Sequence, residues 1–329
     1  MDFKEIKEEI IKSKRIGLSF HTSPDGDAIG STLALLNALR FLGKDSYIIS
    51  RDVISDNLSF LSLAEEIDGN TVEPRRDTDL VIVLDCGNVE RISADLSNYD
   101  GKIINLDHHI SNENYGSINY VDPSAAATAE LSYLLIKELE INFLDKSDEK
   151  IAIGNAIYTG LITDTGSFRH SNVTKRSHEI ASELIELGVD NSKIHSNLFD
   201  NKPFNKVKLM GCVLSNIELA LNEKVAVLQI PKGMLEEFNL LHVDTSDIIS
   251  IGLGIKGVEV SMLLKEVEEG VKTSLRSKNN VDVRKVAEVH GGGGHVKAAG
   301  VMQKNVNLSK AKDNLLKTLK EEMHLWMEY

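Results

Sequence analysis

The chain has 329 residues, 42% of them hydrophobic, and a net charge of −13. That length exceeds one ordinary core and suits two domains. The acidic balance excludes extended, sequence-independent binding of duplex DNA, which rests on many Lys and Arg contacts to phosphates, but it leaves room for a short nucleotide held locally.

Residues 1–14 carry a charged helical pattern without a signal-peptide core, so the cytoplasm is the expected compartment. No apolar run approaches the roughly 18 residues of a membrane span. Cys86 and Cys212 make no disulfide framework, which fits a reducing environment. Aromatics, at 5%, are too few for a single-strand stacking platform.

Residues 16–20 read as a buried strand. A helix follows over 27–42, with apolar positions at Ile29, Leu33, Leu36, Leu39 and Phe41 and a stop at Gly43. Further strands are predicted over 47–50, 80–84 and 102–106, and helices over 124–139, 148–161 and 174–187. This alternation predicts an α/β fold, a mostly parallel sheet with helices on both faces. The pattern weakens into polar residues near 188–203. The expected organisation is a first domain over 1–190, a connection over 191–205 and a second domain over 206–329. In that second part 224–230, 258–265 and 270–276 read as strands, the last two as a hairpin turning near Glu268-Glu269-Gly270. Helices are expected over 281–289 and 309–326, which gives a smaller α/β domain with a mixed sheet.

Four separated segments place carboxylates or imidazoles where an apolar stretch stops, each read as the end of a strand. They are His21-Thr22-Ser23-Pro24-Asp25-Gly26-Asp27, then Asp85, then Asp107-His108-His109, and Asp164 in Thr163-Asp164-Thr165-Gly166. Each has a plainer reading: Asp25-Gly26-Asp27 is also a turn followed by an N-cap. Four coincidences are less economical than one site. Asp25, Asp27, Asp85 and Asp164 together carry −4, which two divalent cations balance and one does not. Oxygen-rich ligation with some imidazole suits Mn²⁺, with Mg²⁺ and Zn²⁺ as alternatives. A pair of such ions can share a water and lower its pKa, so the expected chemistry is hydrolysis of phosphate esters.

The run His290-Gly291-Gly292-Gly293-Gly294-His295 is the second unusual feature. Unhindered backbone N–H groups can approach an anion closely. A flexible linker is the plain alternative. Ordered sequence resumes at once in Val296-Lys297-Ala298-Ala299-Gly300, so a phosphate-binding loop is expected.

The series His21-x-x-Pro24-Asp25-x-Asp27-x-x-Gly30-Ser31, Asp85 with Arg91 following, Asp107-His108-His109 and Thr163-Asp164-Thr165-Gly166-x-Phe168-Arg169 resembles the successive motifs of the DHH phosphoesterase family. The C-terminal segment resembles the DHH-associated domain, so the resemblance covers nearly the whole chain. It is strongest to the stand-alone nano-RNase and pAp-phosphatase type, pAp being 3′-phosphoadenosine 5′-phosphate. It implies one metal on His21, Asp25 and Asp85 and a second on Asp27, Asp85, His108 and Asp164. His109 is then the catalytic group facing the scissile phosphate, Asp85 the bridging ligand, and Asp107 an orienting group behind them. In the second domain it implies substrate contacts from Arg276, Ser277, Gly292, Gly293, Gly294 and His295. The implied partners are short RNA, dinucleotides such as pApA, and pAp, and the homodimer common among related proteins comes with them. A cyclic di-AMP phosphodiesterase is the alternative within the family. An inorganic pyrophosphatase is disfavoured by the glycine run, and a non-catalytic nucleotide-binding regulator by the complete ligand motifs.

Overall fold

A computed structural model describes residues 3–240, 243 and 245–324. The chain divides into two compact units, Met1–Asn201 and Lys202–Tyr329.

The first unit begins with α1 (Lys4–Lys12), β1 (Arg15–Ser19), α2 (Gly26–Phe41) and β2 (Asp45–Ile48). It continues through β3 (Leu80–Leu84), β4 (Lys102–Asp107), β5 (Ile118–Val121), α3 (Thr128–Glu138), α4 (Asp148–Asp164), α5 (Lys175–Leu187) and α6 (Asn191–Phe199). The five strands form one sheet in the order β2-β1-β3-β4-β5. Every neighbouring pair is parallel, as the alternation predicts. β3 is buried along its whole length, as Leu-Val-Ile-Val-Leu requires of a central strand covered on both faces. The order reverses at β1, so the chain leaves β1 and β3 in opposite directions. That opens a crevice beyond their carboxyl ends, where ligands collect in such sheets.

α2 is buried on nearly every side from Gly26 to Leu39, as expected of a helix apolar all round. The Asp25 side chain caps its start, and Gly43 at φ +75° follows its end. Phe41 departs from the expected apolar face: it is exposed, with the Lys150 ammonium 5.8 Å from its ring centre. α2 lies unusually close to α4. A Cβ on Gly30 would sit 2.5 Å from the Ala156 carbonyl oxygen, and one on Gly160 would sit 2.8 Å from an Asp27 carboxylate oxygen. Glycine at these two positions lets the helix backbones touch.

Several expectations are corrected. The stretch 191–205 contains the division between the units, at Asn201 and Lys202, but its first part is not a connection. Residues 191–199 form α6, capped by Asp190, with Ile194 buried and Leu198 and Phe199 against the first core. The polar content of this short helix hides its single apolar face. The helix expected from 124 starts at Thr128, because the N–H groups of Thr128 and Ala129 are bound by the Asp27 carboxylate. β5 has no counterpart among the expected strands; its four residues are all half-buried at the sheet edge and lack a clear alternation.

The second unit holds α7 (Phe204–Ser215), β6 (Glu218–Ala220), β7 (Val225–Ile230), α8 (Met234–Glu237), α9 (Ser246–Leu253) and β8 (Val260–Val267). β9 (Gly270–Ser277), α10 (Val283–Val289), β10 (Gly293–His295), β11 (Ala298–Lys304) and α11 (Leu308–Glu322) complete it. Its sheet runs β10-β11-β9-β8-β7-β6 and is mixed: β7 and β8 are parallel and the other pairs antiparallel. β8 and β9 form the expected hairpin. One apolar cluster joins Val271, Leu275, Val283, Val286, Val301 and Leu315 on one sheet face, and another joins Leu209, Val213, Ile249 and Leu263 on the other. α11 ends at Glu322; Trp326, in the helix expected over 309–326, lies outside the described residues. Among the described residues no helix is long and apolar enough to cross a membrane.

Candidate metal centre

Three of the four motifs follow strands: His21 to Asp27 after β1, Asp85 after β3, and Asp107 with His108 and His109 at the end of β4. Asp164 does not, contrary to the expectation. It is the last residue of helix α4. There it adds a carboxylate to the negative end of the helix dipole, an arrangement that favours a nearby cation.

The fold brings all of these together. His21 Nε2 lies 3.8 Å from an Asp25 oxygen and 3.6 Å from Asp85 Oδ2. His108 Nε2 lies 3.9 Å from Asp27, 3.7 Å from Asp85 Oδ1 and 3.8 Å from Asp164. Donor atoms therefore cluster as His21, Asp25 and Asp85; as Asp27, His108 and Asp164; and as Asp85, His108 and His109. The two oxygens of Asp85 face different histidines, so this residue belongs to both sides of the cluster.

Each donor is held in place by a partner. His21 Nδ1 donates to the Thr22 carbonyl at 3.0 Å and His108 Nδ1 to the Ala125 carbonyl at 3.3 Å. In the neutral imidazole both bonds make Nε2 the lone-pair nitrogen turned toward the carboxylates, the usual arrangement behind a metal-binding histidine. The Thr128 hydroxyl donates to Asp85 Oδ1 at 2.9 Å. The N–H groups of Thr128 and Ala129 donate to Asp27 at 2.7 and 2.8 Å. Asp25 accepts from the N–H groups of Asp27 and Ala28 in the first turn of α2, so the N-cap reading of this turn is correct alongside its place in the cluster. Asn172 donates to Asp164 at 3.2 Å. Asp85 itself has φ +53°, a left-handed conformation that a non-glycine residue adopts at a cost.

The electrostatics show what the cluster lacks. Asp27 and Asp85 are buried and Asp164 half-buried, yet no Lys or Arg forms an ion pair with them among the described residues. Burial, reinforced by the charges of Asp85, Asp164 and Asp25, raises the Asp27 carboxyl well above the usual range. Burial and the Asp85 and Asp25 charges lift Asp164 to about 6 against the attraction of His108. Burial alone would lower the His21 imidazole, but its contacts with Asp25 and Asp85 outweigh that and carry it to about 10. The donor set, its buried negative charge without a Lys or Arg partner among the described residues and its oriented imidazoles fit divalent cations.

His109 stands apart. Its Nδ1 donates to Asp107 at 2.7 Å, and Asn112 donates to the other Asp107 oxygen. Burial would raise Asp107, but His109 and Asn112 hold it below the usual carboxylate range. Burial would lower His109, but Asp107 and the Asp85 charge bring it to about 9. Sequence reading missed Thr128, Asn112 and Asn172, which carry no charge and sit outside the acidic motifs. The signals present were a lone Thr in the first turns of the helix expected over 124–139 and an Asn three residues beyond His109.

The glycine run in the second unit is not an open loop. Gly293, Gly294 and His295 form β10, which pairs with Gly300, Ala299 and Ala298 of β11. Gly292 needs its missing side chain, since a Cβ there would lie 2.2 Å from the Gly300 carbonyl oxygen. Register also places His295 opposite Ala298, and Ala298 opposite Arg276. Arg276 and His295 therefore share one sheet face across a small residue. Ser277 points the other way: it is buried, and its hydroxyl donates to the Val281 carbonyl at 2.7 Å.

A parallel α/β sheet with an acidic and imidazole cluster at its switch point, followed by a mixed-sheet unit, defines a metal-dependent phosphoesterase of the DHH class. The chain belongs to the DHH family: residues 15–161 match the DHH family N-terminal domain and residues 222–325 the DHHA1 domain. It is 33% identical, over 96% of this chain and 93% of the relative, to the bifunctional oligoribonuclease and PAP phosphatase NrnA of Thermus thermophilus. It is 32% identical to the Bacillus subtilis protein of the same name, over 90% of this chain and 92% of the relative. Among solved structures it resembles an exopolyphosphatase-related protein from Bacteroides fragilis, with a TM-score of 0.90, 26% identity, and coverage of 98% of this chain and 96% of that one.

Proposed function

We propose that this protein hydrolyses short oligoribonucleotides such as pApA to nucleoside monophosphates, and pAp to AMP, using two divalent cations, Mn²⁺ by preference. The observation that supports this most is the meeting of buried Asp27 and Asp85 with Asp164 and two oriented imidazoles, with no Lys or Arg paired to those carboxylates among the described residues. The names of full-length relatives supply the substrate class. His21, Asp25 and Asp85 would hold one ion, and Asp27, Asp85, His108 and Asp164 the other. Bound divalent ions supply charge neutralisation at the phosphoryl oxygens and a nucleophilic water at neutral pH.

The rest is the work of side chains. Thr128 fixes the Asp85 carboxylate, and the start of α3 fixes Asp27. Asp107 holds His109 by Nδ1 and so sets the direction of its ring. As an imidazolium His109 would stabilise the charge that develops on the phosphoryl oxygens. In the second unit the Arg276 guanidinium would take a phosphate at the far end of the substrate, with His295, Gly293 and Gly294 beside it, while the Gly292 N–H is already given to the Ala287 carbonyl at 2.8 Å. Ser277 would support this row by closing the turn at Val281.

The test is product formation from pApA, pAp and cyclic di-AMP side by side, in Mn²⁺ and in excess chelator. AMP released from both pApA and pAp, and abolished by chelator, is the expected result. Comparable turnover of cyclic di-AMP would move the assignment to cyclic-dinucleotide hydrolysis. No turnover of any of the three would overturn the proposal.

A further inference from the structure

Two lysines in the second unit are placed where sheet physics disfavours them. Lys265 of β8 and Lys272 of β9 are directly opposite partners in an antiparallel pair. Such partners have Cα atoms about 4.5–5.5 Å apart, and like charges there repel. Lys265 is half-buried, and burial together with the Lys272 charge lowers its ammonium below the usual lysine value. Neither side chain has an ion-pair or hydrogen-bond partner among the described residues. The acid nearest in sequence on the covering helix, Asp247 of α9, is engaged by Lys206 at 3.1 Å.

These lysines line a cavity of about 230 Å³ with Arg276, Ser274, Thr245 and Ser246 as its other polar walls. Lys272, Ser274 and Arg276 alternate along β9, so they share one face. Ile249 and Leu263 supply an apolar floor. The volume is below the usual range for a whole drug-sized ligand, roughly 300–1,000 Å³, and suits a phosphoryl group with part of its sugar. Two lysines that lack a protein counter-anion among the described residues, converging with hydroxyl groups on one small cavity, make a site for an anion.

We propose that Lys265 and Lys272, with Ser274, form a subsite that holds an internal phosphate of a short RNA, next to the phosphate taken by Arg276. The proposal rests on the oligoribonuclease reading for the identity of its ligand. A subsite of this kind favours substrates with a third phosphate, besides the one being cleaved and the one on Arg276, so it ranks a 5′-phosphorylated trinucleotide above pAp, which has only two. It also explains why two like charges are kept opposite each other: the repulsion is relieved when the RNA binds.

The experiment uses the full chain, 5′-phosphorylated triadenylate and excess chelator, so that the RNA stays intact. Binding is measured by fluorescence anisotropy across a salt series for wild type, Lys265→Gln, Lys272→Gln and the double variant. The double variant should bind at least tenfold more weakly at low salt. Its log–log salt slope should be shallower by about 0.7, the value for one phosphate contact on a single strand. In Mn²⁺ its KM for the trimer should rise while kcat stays within twofold. Without RNA the variants should melt at or above the wild-type temperature, since a repulsion has been removed. An unchanged affinity and slope would overturn the subsite. So would a lower melting temperature, because it would make the lysines structural. If wild type binds through these lysines but no added metal supports cleavage, the hydrolytic reading fails and the subsite stands. If it cleaves and the variants' KM is unchanged, the reverse holds.

Discussion

The two units each concentrate charge of one sign, but they hold it differently. In the first, the carboxylates are short side chains clamped by backbone: Asp27 by the start of α3, Asp25 by the start of α2, and Asp85 by Thr128 and its own left-handed backbone. In the second, Lys265, Lys272 and Arg276 are long side chains on a sheet face lined with Ala298, Gly300 and Ser274. Clamped carboxylates give fixed positions, which cation chemistry demands. Long cations around a small cavity can follow a ligand by changing rotamer. The first unit is thus built for geometry and the second for reach.

Asp85→Ala strikes hardest at the clamped side. It removes the one carboxylate facing both histidines and should leave about 1% of activity or less. Metal titration by calorimetry should show loss of more than one ion's worth of heat; retention of more than a few per cent of activity would mean the centre is misplaced. Thr128→Val keeps the shape and removes only the clamp on Asp85. A loss of about 10–100-fold in metal affinity is expected from losing such a support, read as a shift in the Mn²⁺ activation curve. Arg276→Ala tests the other unit: KM for pApA should rise about tenfold or more, the worth of a charge-assisted hydrogen bond, with metal stoichiometry unchanged. A collapse of metal binding there would erase the distinction between the units.

The smallest effect is on stability and concerns the metal-free protein. His21 and His109 are raised to about 10 and about 9 in the folded state, above the ordinary value near 6.5. The stability they add is fully present below pH 6.5 and lost as pH rises through 9 and 10. Asp164, raised to about 6, acts in the same direction at lower pH, and Asp27, also raised, acts in the same direction. In chelator the melting temperature should therefore fall by roughly 5 °C between pH 6.5 and 9.5. Saturating Mn²⁺ should flatten that slope, and an unchanged slope would show that the cluster is not where cations bind.

Much of the first unit is legible in the chain because its signals are local. The burial of β1 and β3, the cap and stop of α2 and the acidic motifs are all contiguous. What escapes is relational. Asp164 comes from a helix rather than a strand, because Gly30 and Gly160 let α4 approach α2 closely enough to deliver it. Thr128 and Asn172 gain meaning only once distant segments meet. In the second unit the glycine run is conspicuous, but hydrophobic periodicity is blind to glycine. Its folding into β10 beside β11 depends on a close approach to the Gly300 carbonyl that no pattern announces. The lysine pair is invisible until β8 and β9 are placed in register.

Asp27 binds the first two amides of α3 with the same carboxylate that faces His108. The beginning of that helix is thereby a natural gauge of what the cluster contains. A cation that draws electron density from Asp27 also weakens its grip on the two N–H groups, and one that rigidifies the carboxylate slows their opening. Hydrogen–deuterium exchange at Thr128 and Ala129 would follow loading at single-residue detail, without substrate, turnover or any introduced label.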